Sequence, residues 1–158
     1  MKCPRPTPPD GAPPGTVWFG GAIGWFSLAL HITADTLQPE AVSSLLGVQP
    51  TASQTKGVPL LREDGTAKRI PRFGQWSLQV KPTETDEWDI EEVIRSLMGQ
   101  LPADRESWKA LSAHGLVRVS VSLSLDASNQ GFSLAADLLQ MLGERGIQVD
   151  FDVYGKEF

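Results

Sequence analysis

Cysteine is almost absent from this 158-residue chain, and the single one, Cys3, lies in a proline-rich N-terminal stretch. No internal disulfide framework can form, so a reducing, cytoplasmic compartment is the default expectation. A reactive thiol also needs a base held beside it, which such a stretch does not supply. Histidine is nearly as scarce: His31 and His114 are the only two, and no ligand spacing for a metal ion can be read from them. Neither metal nor cofactor is expected. Long apolar runs are missing as well. The longest, near residues 25–30, falls far short of the roughly 20 residues that cross a bilayer, so the chain is expected to be soluble, with no membrane partner. The first 24 residues hold six of the twelve prolines (Pro4, Pro6, Pro8, Pro9, Pro13 and Pro14). They lack the continuous apolar core of an export signal. Residues 1–24 are therefore expected to be a flexible tail leading into one domain over residues 25–158.

Positive charge is in deficit too. The formal net charge is −5, the wrong sign for a chain that binds nucleic acid by neutralising phosphates, and no nucleic-acid partner is expected. The charge is nevertheless segregated. Six of the fourteen basic residues (Lys56, Arg62, Lys68, Arg69, Arg72 and Lys81) fall within residues 56–81, and Glu84, Asp86, Glu87, Asp89, Glu91 and Glu92 follow directly.

What is present in abundance is alternation. Phe26, Leu28, Leu30 and Ile32 alternate with Ser27, Ala29, His31 and Thr33, the period of a strand with one buried face. The same design recurs in Trp76, Leu78 and Val80, in Val117, Val119, Val121, Leu123 and Leu125, and in Ile147, Val149, Phe151 and Val153. Between these strands the period lengthens to that of helices. The first carries Val42, Leu45 and Leu46, with Pro39 in its opening turn and Gly47 as a left-handed stop. The second starts at Asp89, with Glu92 completing a capping-box pattern and Trp88 and Val93 as a hydrophobic staple, and buries Ile90, Val93, Ile94, Leu97, Met98 and Leu101. Pro102 breaks the pattern, and a further helical segment carries Trp108 and Leu111 up to Gly115. The last helix starts at Ser133, buries Leu134, Leu138, Met141 and Leu142, and stops at Gly146. Asp64-Gly65 marks a hairpin turn inside residues 51–73, which otherwise fit neither period.

Parallel sheets covered on both faces read as continuous apolar runs, whereas these strands alternate, so helices are expected on one face only. The fold class that follows is α+β: a two-layer sandwich with a four- to five-stranded mixed or antiparallel sheet, loosely ferredoxin-like.

No catalytic residue is expected. Carboxylates from Glu84 to Glu92 suit a helix N-terminus without any reaction, and a hydrolase using them would need two of them converging in a cleft. Asp150 and Asp152 share one sheet face rather than flanking a gap. Gly20-Gly21-Ala22-Ile23-Gly24 precedes a strand and so lacks the strand-to-helix context of a phosphate loop. No sequence motif sets a histidine against a serine. Two surfaces remain as candidates. One is the basic loop, with Lys56, Arg62, Lys68, Arg69 and Arg72 beside Leu60, Leu61, Ile70 and Phe73. The other is the hydroxyl-rich polar face of the sheet, which includes His31, Ser77 and Arg118 and lacks central aromatics for stacking bases. Trp76 has the apolar parity and is expected in the core.

Taken together, Leu46-Gly47-Val48-Gln49-Pro50-Thr51, Lys56-Gly57, Gly74-Gln75-Trp76-Ser77-Leu78, the Asn129-Gln130-Gly131-Phe132 turn and the closing Val149-Asp150-Phe151-Asp152-Val153-Tyr154 strand resemble the uncharacterised bacterial family catalogued as domain of unknown function 4279, over roughly residues 25–154. The resemblance implies no reaction and no catalytic residue. Small domains of this kind are suspected of neutralising toxins as immunity proteins, an association rather than a derivation. The expected function is a non-enzymatic binding module whose partner is another protein or a second copy of the chain. A small-molecule or anion sensor is the alternative from another class.

Overall fold

A computed structural model describes residues 23–80, 89–125 and 132–155. Most of the tail, Trp88 with its staple, Lys81, the acids Glu84, Asp86 and Glu87, and residues 129–131 of the expected turn lie outside the described residues. The elements are β1 (Ile23–Ala34), α1 (Pro39–Leu46), β2 (Ala52–Gln54), β3 (Leu60–Leu61), β4 (Ala67–Arg69), β5 (Gly74–Val80), α2 (Ile90–Gly99), α3 (Arg105–His114), β6 (Leu116–Leu125), α4 (Ala136–Glu144) and β7 (Gln148–Tyr154). Five strands form one mixed sheet in the order β2-β5-β1-β6-β7, and β3 pairs with β4 in a separate hairpin. The fold is α+β. Strand β1 runs through the centre, antiparallel to both β5 and β6, while β7 joins β6 in parallel after the α4 crossover.

The alternation in sequence becomes two faces. Phe26, Leu28, Leu30, Ile32, Trp76, Val117, Val119, Val121 and Leu123 are buried in one core with Val42 and Leu46 of α1, Ile90, Ile94, Leu97 and Met98 of α2, Trp108 of α3 and Leu138 and Leu142 of α4. Two buried indoles are satisfied locally: Trp76 Nε1 donates to Ser43 Oγ at 3.0 Å and Trp108 Nε1 to the Pro102 carbonyl at 2.7 Å. Core parity therefore holds for Trp76.

Local stops act as the residue types require. Gly47 ends α1 with φ +71°, and its N–H reaches the Ser43 carbonyl. At the end of α4 the Ile147 N–H returns to Leu142 O and the Gly146 N–H to Gly143 O, the paired bonds of a Schellman turn with Ile147 packed into the core. Two other glycines are needed for closeness. A Cβ on Gly74 would lie 2.6 Å from the Leu37 carbonyl oxygen, and one on Gly115 would lie 2.5 Å from that of Thr33.

Several expectations are corrected. Leu45 is exposed rather than part of the α1 stripe, because the helix is short and only Val42 and Leu46 face the sheet among its leucines and valine. Strand β2 occupies three residues of the stretch that showed no period. Helix α4 begins at Ala136, not Ser133, and has no side-chain cap of its own. Instead Glu91 of α2 accepts the Ala135 N–H at 2.6 Å, and Arg95 bridges Glu91 and Asp137 at 2.7 and 2.9 Å. At the last strand Ile147, just before β7, is buried and Val149 is half-buried. Phe151 and Val153 remain 40% and 49% exposed because β7 is the sheet's outer strand.

Candidate functional site

The polar face of the sheet gathers residues that are far apart in sequence. Antiparallel register sets His31 opposite Ser77 on one side and opposite Arg118 on the other, and Arg118 stands beside Gln148 of β7. Directly opposed residues share a face with Cβ atoms about 5 Å apart. Gln75 Nε2 donates to Ser77 Oγ at 2.8 Å, and Ser77 Oγ lies 2.8 Å from His31 Nδ1. The serine hydroxyl can donate to Nδ1 while its oxygen accepts from the amide, and a neutral ring in that arrangement carries its proton on Nε2. Burial of the ring, and secondarily the Arg118 charge, hold its pKa below the usual histidine value.

A serine bonded to a histidine invites comparison with a nucleophile and its base, but the setting differs. Ser77 is buried, no carboxylate among the described residues orients Nε2, and the neighbouring guanidinium disfavours the imidazolium that a base must become. Nothing in the arrangement activates the hydroxyl.

On the other side of the face, Arg118 Nη1 reaches Asp150 Oδ2 at 3.3 Å, while Gln148 Nε2 holds the other oxygen of Asp150 at 2.5 Å. Arg118 Nε is shielded from solvent and has no hydrogen-bond partner among the described residues. At the far end of the face Trp25 packs against Tyr154 with ring centroids 5.7 Å apart, and the Tyr154 hydroxyl donates to Asp152.

The basic loop is an arm closed at its neck by a bond from the Gly57 N–H to the Pro71 carbonyl. Asp64-Gly65 turns the β3–β4 hairpin at its tip, with Gly65 at φ +79° and Asp64 accepting from the Thr66 amide and hydroxyl, which hold its pKa low. Three of the five basic side chains are engaged within the chain. Lys56 pairs with Asp35 at 2.6 Å, Arg62 donates to Thr66 Oγ1 and the Ala67 carbonyl, and Arg69 donates to Gln54 Oε1 at 2.6 Å. Gln54 faces the same side as Gln75, so Arg69 fastens the arm to the edge of the polar face. Lys68 and Arg72 are exposed and have no polar partner among the described residues.

The structure thus brings His31, Ser77 and Arg118 together, attaches Arg69 to their sheet edge, and leaves Lys56, Arg62, Lys68 and Arg72 on the separate arm. Gln54 was missed by sequence reasoning, since a three-residue strand is too short to show a period. Two of the three described acids of the 84–92 run serve helices: Asp89 caps α2 by accepting the Glu92 N–H, and Glu91 caps α4, whereas the Glu92 carboxylate makes no capping-box bond among the described residues.

The family model described as Domain of unknown function (DUF4279) matches residues 25–156, and the chain belongs to that family. No curated protein and no solved structure matches it.

Proposed function

We propose that this DUF4279 member is a non-enzymatic protein-binding module that meets an acidic partner surface through the arm of residues 57–71 and the residues at its neck. The observation that carries this reading is the arm's exposed apolar content. Val58, Leu61, Ile70 and Phe73 are 54%, 64%, 62% and 43% exposed on one short segment. Burying each such side chain is worth about 1.5–3 kcal/mol, so two or three anchors meeting a complementary surface supply useful affinity even after the costs of association. Residues 56–73 carry five basic and two acidic side chains, a net of +3, and Lys68 and Arg72 are unpaired among the described residues. Pinning at Gly57–Pro71 and through Arg69–Gln54 favours a presented, pre-organised hairpin.

A photo-crosslinking side chain at Leu61 or Ile70, expressed in the host cell, tests the reading. One discrete adduct is expected, with an acid-rich crosslinked peptide, and it should disappear when Lys68 and Arg72 are both changed to Glu. An adduct pattern indifferent to that charge reversal would sink the proposal. If the captured protein is a toxin, relief of its growth arrest by co-expression would give the module an immunity role.

A further inference from the structure

We propose that the sheet face between His31 and Arg118 is a binding site for a small oxyanion, a carboxylate or phosphate group, held jointly by the guanidinium and the imidazole Nε2–H. The site is separate from the arm and does not depend on the arm's function.

Donors are in excess there. A guanidinium offers five N–H groups in a fixed fork suited to a bidentate oxyanion. Among the described residues Arg118 makes one side-chain contact, with a single carboxylate oxygen at 3.3 Å, and its side chain is 40% exposed, so an oxyanion can reach the guanidinium from solvent through its outer N–H groups. Asp150 does not saturate that fork, because Gln148 holds its second oxygen. His31, opposite Arg118 on the adjacent strand, supplies the second donor when Ser77 donates to Nδ1 and the ring proton sits on Nε2. The positions next along the face are the small residues Ala29 and Ser120.

Binding is linked to protonation. Among the described residues, the groups facing His31 are Gln75 and Ser77 from β5 and Arg118 from β6, with Asp150 of β7 beyond Arg118. Among the described residues Arg118 is the charge that acts on the ring, and it opposes the imidazolium. An oxyanion between them cancels that opposition, so His31 takes up a proton as the anion binds and affinity rises as pH falls.

The test is an NMR titration of the His31 ring with sodium acetate and, separately, inorganic phosphate, against sodium chloride at equal ionic strength. A saturable shift of the His31 ring resonances and a raised His31 pKa are expected with at least one oxyanion and not with chloride. Which of the two acts identifies the group. Arg118→Gln should weaken the response about tenfold or more, the usual worth of a charge-assisted bond. Asp150→Asn should strengthen it by removing the competing carboxylate, and it keeps the proposal testable if Arg118→Gln fails to fold. Responses equal to chloride for both oxyanions, or an unchanged response in Asp150→Asn and Arg118→Gln alike, would overturn the site.

Discussion

Substituting alanine at two glycines should move stability in opposite directions, and the difference can be worked from distances. At Gly74 the new Cβ would stand 2.6 Å from Leu37 O and 2.9 Å from Leu37 Cβ, whereas ordinary contact begins near 3.4 Å. Something must move by about 0.8 Å (3.4 − 2.6), and the obstructing atom is backbone. Gly74 is also paired with Ala34 at the start of β5, so the strand cannot simply swing away without losing its register with β1. Overpacking of this kind costs about 1–3 kcal/mol. At Gly143, inside α4, a Cβ meets nothing within 4 Å. Alanine there removes the entropic handicap of a helical glycine and should stabilise by about 0.5–1 kcal/mol. Urea unfolding followed by tryptophan fluorescence, to which the buried Trp76 contributes, measures both. With a slope of about 2 kcal/mol per molar, the Gly74→Ala midpoint should fall by about 1 M and the Gly143→Ala midpoint should rise by a few tenths. The slopes themselves should not change. A Gly74→Ala midpoint at or above that of the parent would refute the close-approach reasoning.

Ser43→Ala should destabilise by about 1–3 kcal/mol in the same assay, because it leaves the buried Trp76 indole N–H without an acceptor; in Trp76→Phe, Ser43→Ala should cost less. His31 should titrate below 6.5 by NMR. Since the native state resists a proton that the unfolded chain accepts, stability should decline as pH drops below 6.5 toward the folded value. Arg118→Gln should raise that pKa only partway, because burial remains the larger cause. Glu91 and Asp137 both have lowered pKa values, Glu91 chiefly through the Ala135 N–H and Asp137 chiefly through Arg95. Their stabilisation is complete above the unfolded values of 4.5 and 3.8 and is lost as pH falls through the folded ones, so acid unfolding of Glu91→Gln should depend less steeply on pH.

The faces of the sheet were legible because each long strand repeats its own instruction: the Phe26 to Ile32 and Val117 to Leu123 alternations need no knowledge of what lies beside them. The pairing of His31 with Ser77 was not legible. Those residues are 46 positions apart and meet only because β5 docks beside β1, a fact of strand order that periodicity does not encode. The start of α4 was misread for a related reason. Ser133 is a good cap by residue type, but the acceptor used comes from Glu91, 44 positions before Ala135. On β7, Phe151 and Val153 carry the core pattern into an outer strand where burial is incomplete, so pattern and environment part company. The signature Gly74-Gln75-Trp76-Ser77 now divides by physical cause. Gly74 permits close approach, Trp76 fills the core, and Gln75 and Ser77 hold Nδ1 of His31 in a hydrogen-bonded chain.

The borrowed cap on α4 makes two helices a single folding unit. An N-terminus completed by its own residue can form wherever the chain happens to be, but one completed by Glu91 gains that bond only after α2 is in position. Because α4 leads directly into β7, α2, α4 and β7 should open together, and amide protection in all three should be lost at one free energy rather than in sequence. Through that dependence, Asp150 and Gln148, which flank Arg118 on the opposite face, are held in register by a contact made across the helical layer.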